Sequence, residues 1–239
     1  MKNFHIKLFI KCGLINNFII SIISNYTKDV CSFEIDYISI YYIIKFRCKS
    51  STINFNNYKF SSCISYENII CHGIPINNIF NYYKIDIAIN YYKFHSDNCY
   101  INNFLFFKKN FYFKNFFYNI LNFIKKNFFY SFFNNFIKYL KKNIFINDIF
   151  CSHGIFKKLH NNIIIKHNKN YNIKKIKNFD SFTIEPMFLY NNKNGYNFLK
   201  IFFSINNNLT FQWEHTLLIY NNKIFIITLR KNELCCIFH

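Results

Sequence analysis

At 239 residues the chain has room for one large domain or two small ones with a full core, and its 34 Phe, 19 Tyr, 4 Gly and 2 Pro carry the drift of an AT-biased genome. A formal net charge of +19, from 30 Lys plus Arg against 11 Asp plus Glu, would attract nucleic acid or anionic membrane, but the lysines are dispersed, as the same drift predicts without any partner. No apolar run reaches the roughly 18 residues of a membrane span, Met1-Lys2-Asn3-Phe4-His5 lacks a signal-peptide cleavage site, and nine cysteines without a CxxC pair exclude a zinc-finger pattern and fit a reducing compartment.

Apolar positions at helical spacing (Ile6, Phe9, Ile10, Leu14, Phe18, Ile22) predict a helix over 6–26, and a second runs from Ile35 to Phe46 after the break at Asp29-Val30-Cys31-Ser32. The period then changes. Ile53, Phe55, Tyr58 and Phe60, with Cys63-Ile64-Ser65 and Ile69-Ile70-Cys71, predict short strands joined by polar turns over 52–71. Lys84 to Lys93 reads as a β-branched strand carrying Asp86, and a turn leads to its neighbour at Phe94-His95-Ser96-Asp97. Residues 103–144, saturated with Phe, Ile, Asn and Lys, predict two helices at about 110–125 and 128–142. Short strands resume over 146–167 and 180–230, ending with Thr216 to Tyr220 and Lys223 to Leu229 about an Asn221-Asn222 turn. This order gives an α+β plan, two similar halves about a central antiparallel sheet. Without a Pro- or Gly-rich linker, 1–239 reads as a single domain.

Acids are scarce, so an acid inside an apolar run stands out. Glu185 lies in Phe182-Thr183-Ile184-Glu185-Pro186-Met187, and such a carboxylate is rarely buried unless it is paired or holds a metal. The same oddity recurs at Asp86 (Ile85-Asp86-Ile87-Ala88-Ile89), Asp97 (Phe94-His95-Ser96-Asp97), His153 (Cys151-Ser152-His153-Gly154) and Glu214 (Gln212-Trp213-Glu214-His215-Thr216). Each alone fits a surface acid or a satisfied core histidine. Together they form an oxygen-rich, one-nitrogen set suited to a pair of divalent transition ions, which four carboxylates would nearly neutralise. Asp86 and Asp97 suit adjoining strands of a hairpin, where they would repel unless cations lay between them. Drift supplies an internal control: Pro75, Pro186, Gly73, Gly154 and the lone Trp213 all survive in or beside the segments singled out. His72, after an apolar strand, and His160, seven residues beyond His153, can project over a pocket to bond a peptide carbonyl or move a proton. His95 and His215 neighbour proposed ligands and read as supporting groups. His5, His167 and His239 carry no context.

These segments resemble the type I methionine aminopeptidases of the peptidase M24 family, with its pita-bread fold, over roughly Ile6 to Arg230. Cys71-His72-Gly73-Ile74-Pro75 is similar to the family's CHGIP, Ile85-Asp86-Ile87 to its first metal strand, and Phe94-His95-Ser96-Asp97 to its FHGD. Ser152-His153-Gly154-Ile155 with His160 is similar to GHGIG…FH, Phe182-Thr183-Ile184-Glu185-Pro186 to FTIEP, and Gln212-Trp213-Glu214-His215-Thr216 to Q-F/Y-EHT. The resemblance implies a metallo-exopeptidase that removes the initiator methionine from nascent chains. It implies two divalent ions (Co, Mn, Fe or Zn) held by Asp86, Asp97, His153, Glu185 and Glu214, with Asp97 and Glu214 bridging them, to activate water and polarise the scissile carbonyl. Glu185 would accept the water's proton, His72 and His160 would hold the substrate and stabilise the tetrahedral intermediate, and Tyr58 and Cys63 would line the methionine pocket. The partners implied are the N-terminal Met of nascent peptides and the ribosome, not a membrane. A cytoplasmic monomer is expected, or a protein of an organelle or endosymbiont with an AT-rich genome.

The chain begins near the start of the family's minimal catalytic domain, so neither a zinc-finger extension nor a long transit peptide is expected. The departures are Ser96 and Ser152 for Gly, Ala88 for Thr, Ile76 for Asp, and Phe55-Asn56 for Tyr-His. Lost loop glycines predict less backbone freedom near the site and reduced activity. Two other readings are an inactive pita-bread module binding RNA or ribosomes, which the intact ligand set argues against, and a proline-directed peptidase of the same fold, which the CHGIP segment argues against.

Overall fold

The computed structural model describes residues 2–26, 30–78, 82–102, 143–167, 174–192, 194–231 and 233, with single positions between 119 and 140. Two helices, α1 (Lys2–Tyr26) and α2 (Ser32–Lys45), open the chain. The strands among the described residues are β1 (Lys49–Ser50), β2 (Cys63–Tyr66), β3 (Ile69–Cys71), β4 (Tyr83–Tyr91), β5 (Phe94–Asn102), β6 (Ile144–Ile146), β7 (Cys151–Gly154), β8 (Asn161–Lys166), β9 (Ser181–Ile184), β10 (Met187–Tyr190), β11 (Gly195–Phe198), β12 (Ile201–Ser204), β13 (Thr210–Gln212), β14 (His215–Tyr220) and β15 (Lys223–Ile226). Four ladders result: β1-β4-β2 with β5 also on β4, β11-β12-β3, β13-β10-β6, and β15-β14-β9-β7-β8. The fold is the α+β pita-bread plan, with helices packed outside antiparallel sheet, and its sheet is divided into these ladders.

Local chemistry explains the elements. The turns Tyr92-Lys93 (φ 48° and 71°) and Asn221-Asn222 (φ 51° and 56°) are left-handed at both positions, as a tight hairpin with the native strand twist requires. Residues 52–60, predicted as strand, instead hold a 3-10 turn at Phe55–Asn57. Asn54, Asn56 and Asn57 take φ of 68°, 50° and 67° there, and asparagine tolerates that region by bonding its own backbone, so the alternating apolar pattern loses to turn chemistry. The predicted helices at 110–125 and 128–142 lie outside the described residues except for single helical positions, of which Ile120, Ile124 and Phe133 are buried in the core.

Helix α1 corrects one expectation. Asn3–Tyr26 is long and apolar enough by composition to cross a membrane, although no such run was expected. Its apolarity is used within the protein: Phe9, Ile19, Ile20 and Ile23 are buried in one cluster with Ile85, Ile87 and Ile89 of β4. Asn16 anchors the helix, its Nδ2 donating to the carbonyls of Ile87 (2.8 Å) and Ser96 (3.0 Å). A second cluster gathers Phe182, Ile184, Phe188, Leu217 and Ile219 with the buried positions of 119–140. The two halves meet where Cys99 of β5 bridges Glu214, just ahead of β14.

Candidate metal centre

The hairpin β4–β5 supplies the first two acids. Asp86 pairs with Cys99 and Ala88 with Asp97, so both carboxylates point from one face on the diagonal of the ladder. The other half supplies the rest: His153 from β7, Glu185 directly after β9, Glu214 directly before β14. Ligating atoms of Asp97, His153 and Glu214 all lie within 4.8 Å of one another. His153 Nε2 is 3.3 Å from Glu185 Oε1, and Asp97 and Glu185 lie near enough to Asp86 to help raise its pKa. All five residues singled out in the sequence therefore converge, at the seam between the halves.

The cluster is electrostatically strained when it holds protein groups alone. Burial, and then the neighbouring acids, push the Asp86 and Glu214 carboxyls well above the usual range. Glu185 is pushed up to about 8, by burial first and Asp97 second. Glu214 is 1% exposed, and among the described residues neither of its carboxylate oxygens has a hydrogen-bond partner. A buried carboxylate without a donor is costly, and a cation supplies what is missing. His153 fits the same need: its Nδ1 donates to the Gly154 carbonyl (3.2 Å) and burial lowers its pKa, so the ring is neutral with the Nε2 lone pair free on the cluster side. These residues fit divalent ions.

Other groups, not found from sequence, hold the donors in place. Thr183 Oγ1 donates to Glu185 Oε1 (2.7 Å) and accepts the His153 N–H (3.1 Å). Thr216 Oγ1 accepts the Asp97 N–H (2.8 Å) and donates to its carbonyl (2.7 Å). Both threonines sit two residues from a glutamate, the strand period that puts them on the same side, and that spacing was the available signal. Beneath Glu214, the buried Arg230 pairs with Glu233 (2.9 Å), donates to Asn98 Oδ1 (2.7 Å) and His215 Nε2 (3.1 Å), and stacks 4.7 Å from the Trp213 ring. Arg230→Met leaves Glu233 buried without its cation and is expected to lower stability by about 3–5 kcal/mol in urea unfolding.

The remaining sequence-derived candidates lie around the cluster. The His160 ring is 4.2 Å from that of His153 and 5.1 Å from that of Phe55, on the exposed side. His72 is exposed at a left-handed φ of 58°, held in a sparsely populated backbone region with its ring 5.6 Å from Phe150. Gly73 beside it admits no side chain, since a Cβ would come within 2.2 Å of the Ile64 carbonyl oxygen. The Tyr58 hydroxyl faces the carbonyls of Gly73 (2.8 Å) and Ser62 (2.9 Å), tethering that turn. Cys63 lies directly opposite Asp86 in the β2–β4 ladder. The expected loss of backbone freedom at Ser96 and Ser152 does not arise, because both lie within strands (β5 and β7) and neither has a positive φ.

No family model matches the chain. It is 28% identical over 230 residues to a protein of Buchnera aphidicola named methionine aminopeptidase, covering 90% of this chain and 88% of that one. It is 30% identical over 211 residues to methionine aminopeptidase 1b of Plasmodium falciparum, covering 80% of this chain but only 40% of the relative's length. Among solved structures, methionine aminopeptidase from Rickettsia prowazekii superposes with a TM-score of 0.84 at 19% identity, over 95% of this chain and 98% of that one. X-Pro aminopeptidase from Thermotoga maritima superposes at 0.67 and 12% identity, over 95% of this chain and 61% of that one. At such identities the structures establish the shared fold.

Proposed function

We propose that the chain is a member of the methionine aminopeptidase family, a metallo-exopeptidase hydrolysing the N-terminal methionine from nascent chains, with 1–239 as one catalytic domain. The observation that carries this is the cluster of Asp86, Asp97, His153, Glu185 and Glu214, in which Asp97, Glu185 and Glu214 are buried and, among the described residues, both Glu214 oxygens are unpartnered. Those five residues would hold two divalent ions. Bound there, such ions supply Lewis acidity, making water acidic enough to lose a proton near neutral pH and polarising a carbonyl.

The chain's own groups do the rest. Glu185, whose carboxyl is pushed up by burial and held by Thr183, accepts the proton of the attacking water at its carboxylate. His160, beside His153 on the open side, donates to the substrate carbonyl, and His72, exposed beside Phe150, bonds the peptide. Tyr58 and Cys63 line the pocket that takes the methionine side chain. His160→Ala is expected to lower kcat/KM by roughly 10²-fold with metal affinity little changed, read by steady-state kinetics and metal titration.

The deciding experiment is methionine release from Met-Ala-Ser by folded protein supplied with cobalt or manganese. Turnover with either ion supports the reading; absence of turnover with every divalent ion tested overturns it. Cleavage of Xaa-Pro dipeptides instead would reassign the enzyme within the same fold. Action in the cytoplasm, as a monomer at the ribosome, is part of the same proposal; the net charge of +19 would favour contact with ribosomal RNA.

A further inference from the structure

Two serines stand where the resembling motifs carry glycine, and one of them holds Glu185. Glu185 lies just past β9 and is followed by Pro186, which has no N–H to anchor this stretch of backbone. The Glu185 N–H donates to Ser152 Oγ (3.0 Å) on the neighbouring strand β7. Ser152 is fully buried and so is His167, just beyond β8. Both the Ser152 N–H (3.0 Å) and its hydroxyl (2.8 Å) face His167 Nε2. A backbone N–H can only donate, so Nε2 is the accepting nitrogen, its single lone pair shared between that N–H and the Ser152 hydroxyl, whose oxygen in turn accepts from Glu185. Among the described residues the other ring nitrogen, Nδ1, is buried without a partner and the hydrogen bonds of His167 are all made to Ser152; the ring packs 4.7 Å from Phe133. The Glu185 carboxylate is fixed separately, by Thr183 Oγ1 at 2.7 Å.

We propose that Ser152 and His167 form a positioning pair that sets the main chain at Glu185 and thereby aims its carboxylate, an inference that rests on Glu185 being the proton acceptor. Neither residue touches the substrate. The serine gives a buried imidazole its partner, and the imidazole orients the hydroxyl so that its oxygen faces the Glu185 amide. A glycine at position 152 could not do this.

The test compares Ser152→Gly, His167→Phe, His167→Gln and the double variant Ser152→Gly with His167→Phe, measuring kcat and KM on Met-Ala-Ser and manganese affinity by calorimetry without substrate. Ser152→Gly and His167→Phe are each expected to lower kcat by roughly 10- to 100-fold with KM within about twofold, and to weaken manganese binding in parallel, as a small misplacement of a reacting group does. The amide oxygen introduced by His167→Gln reaches as far from Cβ as the imidazole Nε2 does and should recover most of the kcat. The double variant should lose no more than the worse single one, because both act through one contact. Wild-type kcat and manganese affinity in Ser152→Gly, or additive losses without rescue by His167→Gln, overturn the pair. Should His167→Phe fail to fold, Ser152→Gly decides alone, since it removes only a hydroxymethyl group. Turnover by Glu185→Gln would instead remove the reading of Glu185 itself, whereas an inactive Glu185→Gln beside an unaltered Ser152→Gly removes only the positioning pair.

Discussion

Glu185→Gln is expected to lower kcat by roughly 10²- to 10⁴-fold, the range over which a positioned base contributes, with KM changed far less. The amide keeps the size of the side chain and an oxygen to accept from Thr183 Oγ1, so the surrounding strands need not move. What is lost is a basic oxygen beside His153, 3.3 Å from its Nε2. The same substitution removes a buried carboxyl whose ionisation is opposed by burial and by Asp97, so the metal-free variant should melt above the wild type at pH 8. A loss of kcat combined with a gain in metal-free stability separates a functional acid from a structural one. Equal kcat for variant and wild type would exclude Glu185 as the base.

Metal is expected to invert the pH dependence of stability. Without it, Glu185 has its folded pKa raised from 4.5 to about 8, and Asp86 and Glu214 are raised as well. A carboxyl raised in the folded state keeps its proton more tightly there than in the unfolded chain. Stability is therefore full below about pH 4.5, and falls as pH rises through about 8. Divalent ions bind the ionised carboxylates, so added manganese should stabilise most at the alkaline end. At a hundredfold excess over Kd the gain is about 2.7 kcal/mol, or roughly 5–10 °C in Tm for a chain of this size. Glu214→Gln should abolish most of this metal response and flatten the metal-free pH profile, because it replaces the orphaned carboxylate with a neutral amide. Melting curves with chelator and with manganese, from pH 5 to 8.5, give both results. A Glu214→Gln variant whose metal-free Tm falls with pH above 6.5 as steeply as the wild type's would contradict the electrostatics of the cluster.

Rarity made the acids legible. In a chain drifting toward Lys, Asn, Ile and Phe, Glu185 and Glu214 inside apolar runs could be picked out one by one, and the hairpin about Asn221-Asn222 could be read from its turn. Local patterning misled where two signals competed. Ile53, Phe55 and Tyr58 alternate like a strand, but the asparagines among them turn the chain instead. In α1 the short apolar runs, broken by Asn16 and Asn17, hid a helix apolar enough for a bilayer; Asn16 in fact faces inward, onto β4 and β5.

From residue type and short-range spacing alone came the candidate ligands, the helices α1 and α2, and the hairpin shared by Asp86 and Asp97. Only the tertiary structure decided that Glu214 reaches Asp97 without any donor of its own, that Arg230 and Glu233 lie buried beneath it, and that His167 closes on Ser152. Glu214 and Asp97 come from opposite halves, and Arg230 bonds Asn98 and Cys99 from about 130 residues away. No local periodicity encodes them, since burial, and with it the low dielectric that strengthens every one of them, exists only after the two halves have met.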